Sequence, residues 1–386
     1  MRIQADNSDV AAALWRTHAI ITANDGFVAE DFTVHEARGQ FWCSVGAQPG
    51  IPGRLLVSYS HDLQVPMDDV EWDGSASSLI PASGVDGLSS IHRELLDAWL
   101  QTVNLTNRLS HVIEVLPSFA IRARGLRRCL ADGGFPWMRR DPPGLDQAKD
   151  VVVRWHSSGG RNDRTNASGT DPHQPLARLR RGRLIPLKNL VNHHPNGADQ
   201  SPIPNRTAVI TAGNSDANQT YECYGERDAF QLLMHHGYVE QQAPLVHSVP
   251  VEVAVPGVGR VRVLSMPRRH SDARTRAMRR HGRPQPPEIV VRDGSWNIRS
   301  MTFRPRTRST SAALLGLAVH SHTGLSGADS RALADQMIDA ILTANDDYYR
   351  RLHDLAVLER PNTAADSIVA VAQLQRIKLN RMWGAP

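Results

Sequence analysis

The sequence predicts an α+β fold, strands first and helices after, on three observations. Short apolar runs bounded by Gly, Pro and Asn turns recur up to about residue 265, the pattern of strands. Beyond Leu333 apolar residues fall at three- and four-residue spacing, which puts them on one face of a helix. The chain has 386 residues, 41% hydrophobic and 22% charged, enough for two cores of ordinary globular composition.

Taken in order, residues 9–22 (DVAAALWRTHAIIT) suit a short helix or strand, and Gly26-Phe27-Val28-Ala29 a turn into a strand. Residues 54–60 (RLLVSYS) are a β-like run, and Pro66 caps the stretch after it. Ile91, Leu95, Trp99, Val103, Leu109, Val112 and Val115 keep helical spacing, so 91–116 is one amphipathic helix or a bent pair ended by Pro117. Residues 156–175 are polar and rich in breakers, hence loop. Short strands are expected at Thr207–Thr211 and Thr220–Tyr224 around a polar turn, then a short helix from Phe230 stopped at Gly237. Val249–Val255 and Arg260–Leu264 make two more strands, and 267–287 is a Pro/Arg-rich linker. A long helix through Leu333, Met337, Ile341, Tyr349, Leu352 and Leu355 stops at Pro361. Thr363 with Asp366 caps a last helix carrying Ile368, Val371 and Leu374.

The net charge of +5 invites a nucleic-acid partner, but the pattern argues against one. Lysine occurs only at Lys149, Lys188 and Lys378, so the charge is nearly all arginine, the bias of a GC-rich bacterial genome. The arginine clusters at 122–128, 178–183 and 268–283 lack interleaved aromatics and any helix-turn-helix or finger pattern, and read as solvated loops. No apolar run approaches the ~18–20 residues that cross a bilayer. The N-terminus lacks a signal-peptide core, so a cytoplasmic protein is expected.

Metal and hydrolase chemistry find no support. Cys43, Cys129 and Cys223 form no CxxC or CxC pair, which argues for buried thiols over a zinc site. The pairs His193-His194 and His235-His236 do not suggest a metal either, because neighbours on a strand point to opposite faces. His156-Ser157-Ser158-Gly159-Gly160 lacks the G-x-S-x-G of a hydrolase nucleophile.

Two segments carry the chemistry: LIPLKNLVNHH at 184–194 and YECYGERDAFQLLMHHGYVE at 221–240. Ile185-Pro186-Leu187 and Asn192-His193 fit a pattern hPhxDhhNH, where h is apolar. Tyr224-Gly225, Leu232-Leu233 and Gly237-Tyr238-Val239 fit YGxxxNxxLLxxYGFV about 30 residues later. In these residues the chain resembles the SET domain of the Rubisco large-subunit lysine methyltransferase type, whose relatives include actin-histidine methyltransferases. Gly26-Phe27-Val28-Ala29 resembles that family's GxGLVA turn, and Leu55 to Pro66 its LLxVPxxL strand.

The resemblance implies a SET-type β-fold over residues 1–84 and 151–265, a helical insert at 85–150, and a linker with an appended helical substrate-binding domain at 266–386. It implies S-adenosylmethionine (SAM) as cofactor, held by Asn192 and His193, with Gly26 and Phe27 on the cofactor wall. Tyr224 would stand beside the transferring methyl, orienting the attacking nitrogen and excluding water. His236 is the candidate general base. The acceptor would be a Lys or His of a protein, or an amine of a small molecule such as a natural-product intermediate.

The chain departs from the pattern at several points. Asn189 stands where the family commonly has Asp, Ala229 where it has Asn, and His236 where it has a second Tyr. Ala217-Asn218-Gln219 replaces a GEE or GEQ turn, and Asn24-Asp25 a glycine and an apolar residue. Two alternatives follow: a SET-like scaffold repurposed for acid/base condensation or cyclisation with SAM lost, and a catalytically silent binding module.

Overall fold

The computed structural model describes residues 1–46, 53–66, 70–73, 78–81, 88–106, 108–144, 148, 157–158, 183–184, 186–199, 208–212, 219, 221–223, 227–264, 287–292, 295–299, 301–304 and 308–382. Helices and several small sheets alternate, so the chain is α+β, as its patterning predicts. It forms two compact units interleaved in sequence: 1–114 with 143–161 and 173–226, and 115–142 with 162–172 and 227–386. Among the described residues no helix is long and apolar enough to cross a membrane.

The first unit holds strands β1 (Arg2–Ala5), β2 (Phe27–Val28), β3 (Phe32–Ala37), β4 (Gln40–Val45), β5 (Leu55–Tyr59), β6 (Val65–Pro66), β7 (Val70–Asp73), β8 (Ser78–Pro81), β9 (Ser157–Ser158), β10 (Arg183–Leu184), β11 (Asn192–Asp199), β12 (Ala208–Thr211) and β13 (Tyr221–Cys223). Its helices are α1 (Ser8–Ala23), α2 (Ser90–Leu105) and α3 (Arg108–Val115). Residues 9–22 are therefore helical, and 91–116 is the bent pair. Asn7 caps α1, accepting N–H bonds from Asp9 (2.8 Å) and Val10 (3.4 Å). The sheets are small: β1-β3-β4, β12-β5-β2, β6-β10-β9, β7-β8 and the pair β11-β13.

The β3–β4 hairpin turns on Arg38 and Gly39, both left-handed at φ 52° and 78°, as a two-residue type I′ turn requires. A side chain at Gly39 would meet the Thr106 carbonyl oxygen at 2.5 Å. Just before the turn, Glu36 is only 4% exposed. Its Oε2 accepts the Asp6 N–H (3.1 Å) and the Asn7 N–H (3.4 Å), and its Oε1 accepts the Gly39 N–H (2.7 Å). One carboxylate thus ties the entry of α1 to the hairpin tip. Glu36→Gln sets an amide N–H against one of these donors. Chemical denaturation is expected to show a loss of about 2–3 kcal/mol.

On the same hairpin His35 stacks on Trp42, ring centroids 5.0 Å apart, and its Nε2 meets Ser44 Oγ at 2.7 Å. Burial holds the imidazole below its ordinary pKa. As pH falls through about 6.5 the unfolded chain binds the proton first. The stability that neutral His35 contributes is full above that pH, is lost progressively below it, and stops falling once the folded imidazole protonates. Urea titrations between about pH 8 and 5 should show this slope. His35→Phe should make it shallower.

The second unit contains α4 (Pro117–Ala120), α5 (Arg124–Asp132), α6 (Ala229–His236), β14 (Val246–His247), β15 (Val251–Val255), β16 (Gly259–Leu264), β17 (Glu288–Arg292), β18 (Ser295–Arg299), β19 (Thr302–Phe303), α7 (Arg308–Thr323), α8 (Gly327–Val357) and α9 (Thr363–Asn380). Its sheet runs β15-β16-β18-β17, parallel only between β16 and β18. The core joins this sheet to the helices through Val255, Val261, Ile298, Met337, Ile341, Tyr349, Leu352, Ile368 and Val371.

Two expectations are corrected here. The stretch beyond residue 266 is not helical throughout, since β17, β18 and β19 precede α7; the β-branched run Ile289-Val290-Val291 supplies the edge strand. The cap of α9 is Asn362 rather than Thr363. Its side chain accepts from Ala364 N (3.0 Å) and Ala365 N (3.1 Å), and Asp366 pairs with Arg360. Arg127 is 5% exposed and satisfied by carbonyls alone, those of Ser118, Ile121 and Arg140.

Candidate functional site

The segment 184–194 is bent by its backbone. Leu187 is 3% exposed with φ 63° and ψ −37°, and the Lys188 N–H bonds the Pro186 carbonyl at 2.8 Å. That is a γ-turn of positive φ, rare and strained for a bulky residue. Strain of this kind costs about 1–3 kcal/mol and persists only where the surroundings enforce it. Tyr59, fully buried on β5, supplies part of that enforcement by donating its hydroxyl to the Pro186 carbonyl at 2.7 Å. The chain leaves through a 3-10 turn, Lys188–Leu190, and enters β11 at Asn192.

Asn192 is exposed, and its Nδ2 donates to the Phe41 carbonyl on β4 at 3.1 Å. Strand β11 pairs in parallel with β13, Asn192 opposite Tyr221 and His193 opposite Glu222. The ladder then slips, so that Ala198 also faces Glu222. The two motif segments therefore adjoin at their β11 and β13 ends within the first unit. The side chain of His193 and all of Tyr224 lie outside the described residues.

Gly26 and Phe27 follow α1. A Cβ at Gly26 would lie 2.4 Å from Ile21 Cγ2 and 2.5 Å from the Ile21 carbonyl oxygen. Close packing on the end of α1 thus requires the glycine by itself. The left-handed residue of this turn is Asp25, at φ 58°. Phe27 is 44% exposed and pairs with Ser58 on β5.

His236 belongs to the second unit, on the last turn of α6. The helix stops where Gly237 turns left-handed, at φ 78°. His236 Nε2 lies 3.2 Å from Arg227 Nη1. A guanidinium only donates, so Nε2 accepts and the ring proton sits on Nδ1. The Tyr238 ring stands 6.3 Å away. The start of α6 is fixed by Asp228, 1% exposed. Its Oδ1 accepts Gln231 N–H (2.8 Å) and its Oδ2 accepts His247 N–H (2.8 Å). Lys378 is nearly buried and donates to the Ala243 carbonyl at 2.7 Å. Burial lowers its pKa, against the opposing charges of Asp228 and Glu240.

Asp228 had a local signal, Asp before an apolar run with Gln three residues on. Arg227 and the turn at Leu187 had none. A shallow cleft beside Asp228, lined by Gly133, Phe135, Phe230, His247 and Ser248, has about 290 Å³ of space including its open mouth. Most of that space is open to solvent, and the enclosed part is far smaller than a drug-sized ligand fills. Among the described residues no group of His, Cys, Asp and Glu could hold a metal ion, and Cys43 and Cys129 are buried thiols.

No family model matches the chain, and no curated protein matches it. Among solved structures, the SET domain of LSMT bound to lysine and AdoHcy is similar over 97% of this chain and 90% of that one, with 11% identity and a TM-score of 0.36. Similarity at that level does not define a family.

Proposed function

We propose that the chain is a SAM-dependent N-methyltransferase on a SET-type scaffold. The observation that supports this most is the parallel pairing of β11 with β13, which sets Asn192 opposite Tyr221, three residues before Tyr224. The residues suit the cofactor. After its bond to Phe41 the Asn192 amide has a further N–H and its oxygen to offer, and Phe27 presents an exposed aromatic ring. When bound, SAM supplies a sulfonium methyl whose S–C bond breaks as the N–C bond to the acceptor forms. Asn192 and His193 bind, Phe27 covers, and Tyr224 orients the acceptor nitrogen and excludes water. The acceptor is an amine or imidazole of a protein or small molecule.

Calorimetry tests this. SAM and S-adenosylhomocysteine should both bind, and Asn192→Ala should weaken SAM at least about tenfold, or ~1.4 kcal/mol. Its unfolding midpoint should stay near the parent's, because the side chain is exposed. No heat of binding with either compound would falsify the proposal.

Two observations favour a second reading, a SET-like scaffold working without SAM. Gly26 is accounted for by Ile21, and Asn192 is already engaged by Phe41. Turnover of an acid/base substrate by a chain indifferent to SAM would support that reading instead.

A further inference from the structure

The geometry points to Tyr59 as a positioning residue: by clamping the strained turn at Leu187, it sets where Asn192 stands. The inference rests on the proposal that Asn192 holds SAM. Tyr59, Leu187 and Asn192 all belong to the first unit.

Tyr59 ends β5, fully buried, and its hydroxyl has a single hydrogen to give. That hydrogen goes to the Pro186 carbonyl at 2.7 Å. The same carbonyl takes the Lys188 N–H at 2.8 Å, the bond that closes the turn on Leu187. The Tyr59 bond thus pins the peptide plane between Pro186 and Leu187. With that plane pinned, relaxing the φ of 63° at Leu187 would swing the chain after it, and Leu190 and Val191 are packed at 7% and 1% exposure. Without the hydroxyl the plane is free to flip, and the leucine can leave a backbone region that it disfavours.

The direction of the turn passes on to Asn192. The N–H groups of Leu190 and Val191 bond to the carbonyls of Leu187 and Lys188, both at 3.1 Å, so no free hinge intervenes. Strand β5 also sets Ser58 opposite Phe27. One strand therefore carries Phe27 directly and Asn192 through Tyr59, and the hydroxyl fixes the gap between them.

Calorimetry with SAM on the full chain makes the test. Tyr59→Phe keeps the ring and its packing, and should weaken SAM about tenfold, the scale on which a partner standing behind a ligand-holding group acts. In the Asn192→Ala chain the same change should cost less than about twofold, because the effect runs through Asn192. Unchanged affinity in Tyr59→Phe overturns the inference, and so do losses that multiply in the double variant. A second readout needs no cofactor. Lys188 is the only lysine that follows a leucine, so ¹⁵N-lysine with carbonyl-¹³C leucine singles out its amide. Tyr59→Phe should move that resonance and speed its exchange with solvent at least about tenfold. An amide with unchanged shift and exchange overturns the inference whether or not SAM binds. Absence of SAM binding to the parent chain sinks the methyltransferase proposal instead, and the Lys188 amide still decides whether Tyr59 holds the turn.

Discussion

Tyr224→Phe is expected to lower methyl transfer about 10²–10³-fold, the usual cost of deleting one preorganised donor at a reacting centre, while SAM affinity holds within about twofold. The proposed channel gives the hydroxyl a task only while nitrogen, methyl and sulfur are aligned. Its loss therefore acts on kcat and not on ground-state binding. Phe keeps the ring and so keeps the wall that excludes water. The measurement pairs single-turnover methyl transfer with calorimetry on one preparation. Unchanged kcat would move Tyr224 out of the channel. A matched loss of SAM binding would move it into the cofactor wall.

The largest stability effect is expected at Asn345, in the middle of α8 and fully buried. Its Oδ1 accepts the Val249 N–H at 3.0 Å, and its Nδ2 donates to Ser248 Oγ (2.9 Å) and to the Ile341 carbonyl (2.8 Å). Asn345→Ala leaves these groups without that partner and opens a cavity. Each orphaned buried group costs about 1–3 kcal/mol, so a loss of about 3–5 kcal/mol is expected. At ~2–4 °C per kcal/mol for a unit of this size, calorimetric unfolding should drop by roughly 6–20 °C. Asn345→Leu fills the volume but leaves the same groups orphaned, and should lose nearly as much. Recovery in the Leu variant would mean that packing, not hydrogen bonding, joins α8 to the segment before β15.

What the sequence could reveal followed the range of the interactions. Helices α8 and α9 were legible because their apolar residues repeat at helical spacing and face one core. The run Leu55–Tyr59 was legible because a strand buried on both faces is simply apolar. The β3–β4 hairpin was not. Its turn is Arg38-Gly39 rather than Asn-Gly, and Glu36, which looks solvent-facing, is buried because backbone N–H groups from elsewhere satisfy it. At the site, Asn192 and the segment leading to Tyr224 stood out as motifs, and their pairing follows from the strands that carry them. Leu187 did not stand out. Its left-handed backbone is imposed by nonlocal contacts such as the Tyr59–Pro186 bond, against the residue's own preference. The Arg227–His236 contact depends on the whole of α6, about two turns of helix, and on its start, so no short pattern announces it.

In the proposed site, the stretch around Asn192 and the stretch around Tyr224 bind one SAM molecule between them. Photo-crosslinking of radiolabelled SAM to the full chain, with the labelled peptides mapped, tests it most directly. Label is expected in peptides covering 184–199 and 221–240, reduced by excess S-adenosylhomocysteine and by Asn192→Ala. Label confined to peptides outside those two stretches would contradict it.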